Sequence, residues 1–307
     1  MPATKILEDL FFIERGYLNG NHVVFSSKEP VLIDSGYVAD FGETEKLINN
    51  LGVRISDVRL IVNTHCHCDH VGGNKAIQER SGCTVAMHRI GKHFIDSRDD
   101  WATWWRYYGQ RAEFFDCTQA LEDGDVIPVG PHEFRVIHTP GHSADGIVLY
   151  NGKEKILISS DSLWENDMAV MTLRVEGSRA LFSMLESLDR ISALDVTVAY
   201  PGHGKPFTDV KGAIEKARKK IASYLDCRDR VGEDLIKKII VYTLLMERSI
   251  PEEMLFGKLL DTHWFRETVD LYFGGAYEGK YSEIMEGLLK RGIVLRREGC
   301  LFTTAKP

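Results

Sequence analysis

Apolar runs of strand length recur along this chain, and several break off at a histidine or an aspartate. Val58-Arg59-Leu60-Ile61-Val62 leads into a histidine-rich stretch, and Phe134-Arg135-Val136-Ile137 leads through His138-Thr139-Pro140-Gly141 to His142. Lys155-Ile156-Leu157-Ile158-Ser159-Ser160 ends at Asp161, and Asp195-Val196-Thr197-Val198-Ala199-Tyr200 ends through Pro201-Gly202 at His203. Runs of this length, closed by polar residues or a Pro-Gly turn, predict β-strands. Leu10 to Val31 predicts further strand segments, with turns at Gly16, Asn19-Gly20-Asn21 and Lys28-Glu29-Pro30. Val31-Leu32-Ile33 reads as a buried strand that closes on the acidic turn Asp34-Ser35-Gly36, and Thr84-Val85-Ala86-Met87 as a short one.

Helical periodicity fills the intervals. Leu47, Ile48 and Leu51 form an apolar stripe behind Asp40-Phe41-Gly42-Glu43, which resembles a capping box. Gly72-Gly73 turns the chain into a helix through Lys75-Ala76-Ile77-Gln78, and Ser178 is placed to cap one carrying Leu181, Leu185 and Leu188. Trp101, Trp104, Trp105 and Tyr108 fall at i, i+3, i+4 and i+7, which predicts one aromatic helix face. Beyond Phe207 the pattern is mainly helical, with a basic helix through Lys216–Lys220 and an apolar stripe at Leu235, Ile236, Ile239 and Ile240. A last helix, Tyr281–Lys290, stops at Gly292 and precedes a hairpin around Arg296-Arg297-Glu298-Gly299. Strands alternating with helices predict an α/β fold.

The chemistry sits in Thr64-His65-Cys66-His67-Cys68-Asp69-His70-Val71-Gly72-Gly73. Imidazole and carboxylate bind divalent transition metals, and zinc accepts both. His65 and His67, two apart in extended chain, point the same way, while Asp69 and His70 follow the turn and can face a second metal. A catalytic zinc usually takes three protein ligands and keeps a place for water, so four ligands here suggest two metals in one site. His142, Asp161 and His203 stand at strand ends, where α/β proteins gather their sites. Cys66 and Cys68 alternate with the ligands, which turns their sulfurs away from the metals.

The H-x-H-x-D-H block, Thr139-Pro140-Gly141-His142, Ser160-Asp161 after a strand and the late Pro201-Gly202-His203 together resemble the metallo-β-lactamase superfamily over roughly residues 10–208. The resemblance implies an αββα sandwich, residues 1–208, with a binuclear site at one edge. It implies that His65, His67 and His142 hold one metal and Asp69, His70 and His203 the other, with Asp161 bridging. Zinc is the first expectation, and iron or manganese also occupies such sites. Asp34, His88, His93 and His138 are expected to be structural. An aromatic insert at about 94–117 separates the ligand clusters. Trp101, Trp104, Trp105, Tyr108 and Trp164 are therefore candidate substrate contacts, and such a wall favours an acyl-bearing substrate over a highly charged one. Trp164 lies where some superfamily lactonases place an assisting tyrosine, whose acid work an indole cannot do. Residues 209–307 resemble the winged-helix-like region attached to some superfamily hydrolases and RNA-cleaving relatives.

The expected function is a binuclear hydrolase in which a metal-bridging hydroxide, oriented by Asp69, attacks a thioester, ester or lactone. The competitors are a ribonuclease or phosphodiesterase using the same metals, and an iron sulfur dioxygenase. Composition narrows the field further. With 307 residues, 44% of them hydrophobic, the chain can bury a real core, and its six scattered cysteines make no disulfide framework. No apolar run approaches the ~18 residues of a membrane span. An acidic start, Glu8-Asp9, where a secretory signal is basic and apolar makes the cytoplasm the expected location. The net charge is −7, and residues 211–307 are only slightly basic. Glu283 and Glu286 share the last helix with Lys290 and Arg291, so this region is expected to complete the pocket or form a homodimer contact rather than to bind nucleic acid.

Overall fold

The computed structural model describes residues 3–306, so Met1, Pro2 and Pro307 lie outside the described residues. Seven strands form the first sheet in sequential order: β1 (Thr4–Leu7), β2 (Leu10–Ile13), β3 (His22–Phe25), β4 (Val31–Ile33), β5 (Leu60–Val62), β6 (Thr84–His88) and β7 (Gln119–Leu121). From β4 onward neighbouring strands run parallel, because helical crossovers join them. The second sheet has the order β12-β11-β10-β9-β8, from β8 (Val126–Val129), β9 (His132–His138), β10 (Ile147–Asn151), β11 (Ile156–Ser160) and β12 (Val198–Pro201). The β11–β12 pair is parallel, with a register shift between Ile158 and Ser160.

Side chains on a strand alternate between faces, and the alternation here decides the layers. Val23, Phe25, Ile33 and Val62 point toward the second sheet and meet Val136, Leu149, Ile156 and Ile158. Their neighbours Val24, Leu32 and Ile61 point outward. The outward face is covered by α1 (Phe41–Asn49), the single turn α2 (Cys68–Val71), α3 (Asn74–Ser81) and α4 (Arg89–Asp96). Two further single turns follow, α5 (Trp105–Tyr108) and α6 (Leu173–Glu176). On the second sheet, Val148, Leu157 and Ala199 face α7 (Ala180–Ser192) and α8 (Val210–Asp226). The result is the αββα sandwich. The boundary expected at 208 falls just before α8, whose buried face packs on this layer with Leu188 and Ile191.

The remaining helices are α9 (Asp229–Glu247), α10 (Glu252–Leu260), α11 (His263–Phe273) and α12 (Tyr277–Lys290). They accompany a small sheet ordered β13-β15-β14, from β13 (Ile250–Pro251), β14 (Val294–Arg297) and β15 (Cys300–Thr303). The expected helix-then-hairpin is α12 with β14 and β15. Trp104, Tyr107 and Tyr108 join the core of this unit beside Leu235, Ile236 and Trp264, so the aromatic stretch anchors the C-terminal helices to the sandwich. Among the described residues no helix is long and apolar enough to cross a membrane.

Two expected caps do not form. Asp40 precedes α1, but its carboxylate accepts from Asn19 Nδ2 at 2.9 Å instead of capping the helix. Arg179, not Ser178, occupies the start of α7, with no side-chain cap. The expected aromatic helix is also absent. Trp104 has φ +71° and Gly109 φ +64°, so only Trp105–Tyr108 is helical and no continuous face joins Trp101 to Tyr108.

Candidate metal centre

Short polar segments at the ends of β5, β9, β11 and β12 converge at one edge of the sandwich. The Val62 strand end delivers His65 and His67, and α2 then places Asp69 and His70. His142 follows β9, Asp161 follows β11 at once, and His203 follows β12. All seven are buried. Among the described residues three groups result, the triads His65–His67–His142 and Asp69–His70–His203 and the overlapping set His65–His70–Asp161, and within each the possible ligand atoms lie within 4.8 Å of one another.

Asp161 stands between the triads. Its Oδ2 is 4.0 Å from His65 Nε2, 3.4 Å from His142 Nε2, 3.7 Å from His70 Nε2 and 3.8 Å from His203 Nε2. Asp69 Oδ2 is 3.1 Å from His203 Nε2 and 3.5 Å from His70 Nε2.

The backs of the rings explain why the fronts converge. His203 Nδ1 donates to Gly16 O at 2.8 Å, and His142 Nδ1 donates to Val170 O at 2.7 Å. A carbonyl can only accept, so the proton sits on Nδ1 and the Nε2 lone pair faces the centre. Asp34 Oδ2 holds His70 Nδ1 at 2.8 Å and also accepts from Thr64 Oγ1 at 2.7 Å. That leaves Thr64 Oγ1 to accept from His65 Nδ1 at 3.1 Å. Asp34 thus orients two imidazoles, and it holds φ +62° beside the site.

Buried polar atoms in folded proteins nearly always find partners. Yet Nε2 of His65, His67, His70 and His142 is buried with no hydrogen-bond partner among the described residues. Three of these nitrogens, those of His65, His70 and His142, converge within 4.0 Å of the Asp161 carboxylate, an arrangement that fits bound metal. Burial, followed by mutual repulsion, holds His65 and His67 well below the usual histidine range, which keeps their lone pairs available. At His70 burial opposes charge, but the carboxylates of Asp69, Asp34 and Asp161 override it and raise the pKa.

The centre opens into a cavity of about 510 Å³ lined by Trp104, Trp164, Tyr17 and Tyr242, with Lys237 and Arg291 from the C-terminal helices. Of the five aromatic residues expected to contact substrate, Trp104 and Trp164 line it. Trp164 Nε1 donates to Asp161 Oδ1 at 3.1 Å. Trp101, Trp105 and Tyr108 do not, because the segment turns at Trp104. Trp101 packs on Tyr107, Trp105 Nε1 donates to Cys66 O at 3.0 Å, and Tyr108 shares a 2.6 Å hydrogen bond with Thr172. Cys66 and Cys68 face away from the centre, toward Asp145 and Tyr242. His88 stacks on His138 at 4.0 Å, away from the site.

Several contributors escape sequence reading. Gly16 and Val170 act through backbone carbonyls, which every residue possesses. Tyr17 stacks on His203 at 5.9 Å, and only its place after Gly16 could have drawn attention. Glu176 accepts from Trp104 Nε1 at 2.7 Å and carries no local signal.

A profile of the Metallo-beta-lactamase superfamily matches residues 16–203. A probable metallo-hydrolase of Bacillus subtilis is 28% identical over 195 residues, covering 54% of this chain and 60% of that protein. A hydroxyacylglutathione hydrolase of Maricaulis maris is 30% identical over 55% of this chain and 58% of its own length. An acyl-coenzyme A thioesterase of Homo sapiens is 30% identical over 54% of this chain and 68% of its own length. The matched stretch spans about three fifths of the first two. Among solved structures, a metallo-beta-lactamase family protein from Thermus thermophilus superposes with a TM-score of 0.61 at 22% identity, over 97% of this chain and all of that one. The Legionella gormanii metallo-beta-lactamase superposes with a TM-score of 0.61 at 16% identity, over 73% of this chain and 95% of that one. With its two sheets, its ordered ligand segments and a profile match over more than half its length, the chain belongs to the metallo-β-lactamase superfamily.

Proposed function

We propose that this protein is a binuclear metal-dependent hydrolase that transfers an acyl group from a thioester, ester or lactone to water. The observation that carries the reading is Asp161 Oδ2, within 4.0 Å of imidazole nitrogens from both triads. His65, His67 and His142 would hold one metal, Asp69, His70 and His203 the other, with Asp161 shared and zinc the first candidate. When bound, such a pair lowers the pKa of water to about 7 and polarises a carbonyl oxygen.

The chain's own groups supply the rest. Asp69, at the cavity surface, takes the proton of the attacking water at a carboxylate oxygen. It returns that proton to the departing thiolate or alkoxide, so acid and thiol or alcohol leave. Trp104 and Trp164 offer apolar walls for the acyl chain. The C-terminal unit, winged-helix-like in this reading, closes the cavity through Tyr242 and Leu245 rather than reading nucleic acid. Relatives named as acting on acyl-coenzyme A and hydroxyacylglutathione support a thioester first.

Metal analysis of the purified protein, with a screen of thioesters, lactones, β-lactams and RNA, tests the proposal. Two metal equivalents and thioester turnover, both lost in Asp161→Ala, are expected. Full turnover by metal-free protein, cleavage of RNA alone, or bound iron with persulfide-dependent oxygen uptake would each overturn it.

A further inference from the structure

Four of the five imidazoles at the centre are fixed by a hydrogen bond at Nδ1. His67 is held differently. Its Nε2 is buried and unpaired, as are those of His65, His70 and His142, but its Nδ1 has no hydrogen bond to another described residue, and its ring lies against the Trp104 indole with centroids 3.8 Å apart. A ring without a hydrogen bond can turn about its last torsion unless a neighbour blocks it. Trp104 is itself held. Its Nε1 donates to Glu176 Oε1 at 2.7 Å, and its ring abuts His142 at 5.0 Å and Tyr108 at 5.6 Å. A bulky residue at φ +71° persists only where its surroundings impose that conformation.

The bracing is asymmetric. The segment carrying Glu176 also supplies Val170 O to His142 and Thr172 to Tyr108. His67 and His142 therefore lean on residues 104 and 170–176, outside both sheets. His70 and His203 lean on Asp34 and Gly16 O, beside the first sheet.

We infer that Trp104, held by Glu176, is a positioning residue that sets the ring plane of His67 and thereby tunes the His65–His67–His142 triad independently of the other. Only the affinity readout rests on the two-metal reading above. Burial pushes the Glu176 carboxyl up to about 8, so its neutral form offers a carbonyl oxygen to the indole N–H, as a glutamine would.

The test compares Trp104→Ala, Trp104→Phe, Glu176→Ala and Glu176→Gln with wild type. Zinc affinity is read by chelator competition, and the His67 ring protons are followed by NMR in metal-free protein. Trp104→Ala should weaken one zinc equivalent by about 10–100-fold and leave the other unchanged. Trp104→Phe, which keeps a stacking face, and Glu176→Ala should lose part of that factor, and Glu176→Gln should match wild type. In metal-free protein, the upfield ring-current shift of the His67 protons should vanish in Trp104→Ala and persist in Glu176→Gln. Lower thermal stability with both affinities unchanged in Trp104→Ala would overturn the inference. If Trp104→Ala does not fold, Trp104→Phe and Glu176→Ala with wild-type affinities overturn it equally. A wild type that takes fewer than two zinc ions defeats the two-metal reading instead, and the His67 resonances then decide: no change on removing the indole refutes the positioning role.

Discussion

Asp34 Oδ2 accepts a 2.8 Å hydrogen bond from His70 Nδ1, so a carboxylate behind the site aims an imidazole into it. Asp34→Ala should lower metal affinity by about 10–100-fold. It should also destabilise the fold by about 1–3 kcal/mol for each buried donor left unpaired, here His70 Nδ1–H and Thr64 N–H. Metal titration and urea denaturation would check both. Unchanged metal affinity would mean that the ring is aimed by packing alone.

Gly202 sits where any side chain would strike the centre. A Cβ there would lie 2.1 Å from Asp161 Oδ1 and 3.1 Å from His70 Cε1. Gly202→Ala should therefore displace Asp161 and strip both metals, with a packing penalty of about 1–3 kcal/mol. Gly204→Ala is the control. It has φ +86° but nothing within 4 Å of its Cβ, so it should cost about 1–2 kcal/mol of backbone strain and retain metal. Equal metal loss in the two variants would refute the steric account.

Two buried acids should make the fold progressively less stable as pH rises from the acid range to just above neutrality. Burial raises Glu176 from 4.5 to about 8 and Asp145 from 3.8 to about 6. Both have folded pKa values above their unfolded ones, so the folded chain keeps these protons longer. The stability they permit is intact at low pH and is lost as pH rises through about 4 to about 8. Glu176→Gln removes its share, so this variant should gain on wild type as pH rises, measured by urea denaturation of metal-free protein. Parallel stability curves for the two would show that Glu176 is ionised in the folded state.

Chelation should abolish acyl hydrolysis and lower the melting temperature. Each metal held at 100 times its dissociation constant contributes about 2.7 kcal/mol of folding stability. The apparent stability should therefore climb with free zinc in two steps. A melting temperature indifferent to chelator would show that the histidines bind nothing tightly.

The convergence of the candidate ligands is legible because its signals are local: a dense His/Asp block and three strands that stop at His142, Asp161 and His203. The alternation that separates the sandwich core from its helical faces was readable for the same reason. The aromatic stretch was not. Spacing at Trp101, Trp104, Trp105 and Tyr108 fits a helix, but Trp104 takes φ +71° and breaks it, with its indole tied to Glu176, seventy-two positions away. Asp40 likewise has the residue type of a helix cap, and Asn19, twenty-one positions away, took its carboxylate. Carbonyls such as Gly16 O have no residue-type signature at all.

His65, His67, Asp69 and His70 are supplied beside the first sheet, while His142, Asp161 and His203 all come from the second. Neither half alone can present a closed coordination shell. If the two-metal reading holds, the complete ligand set forms only once the two sheets have docked, since each sheet supplies part of it. Retained metal would serve as a gauge of a seam that has closed, and its escape as the earliest sign of that seam parting.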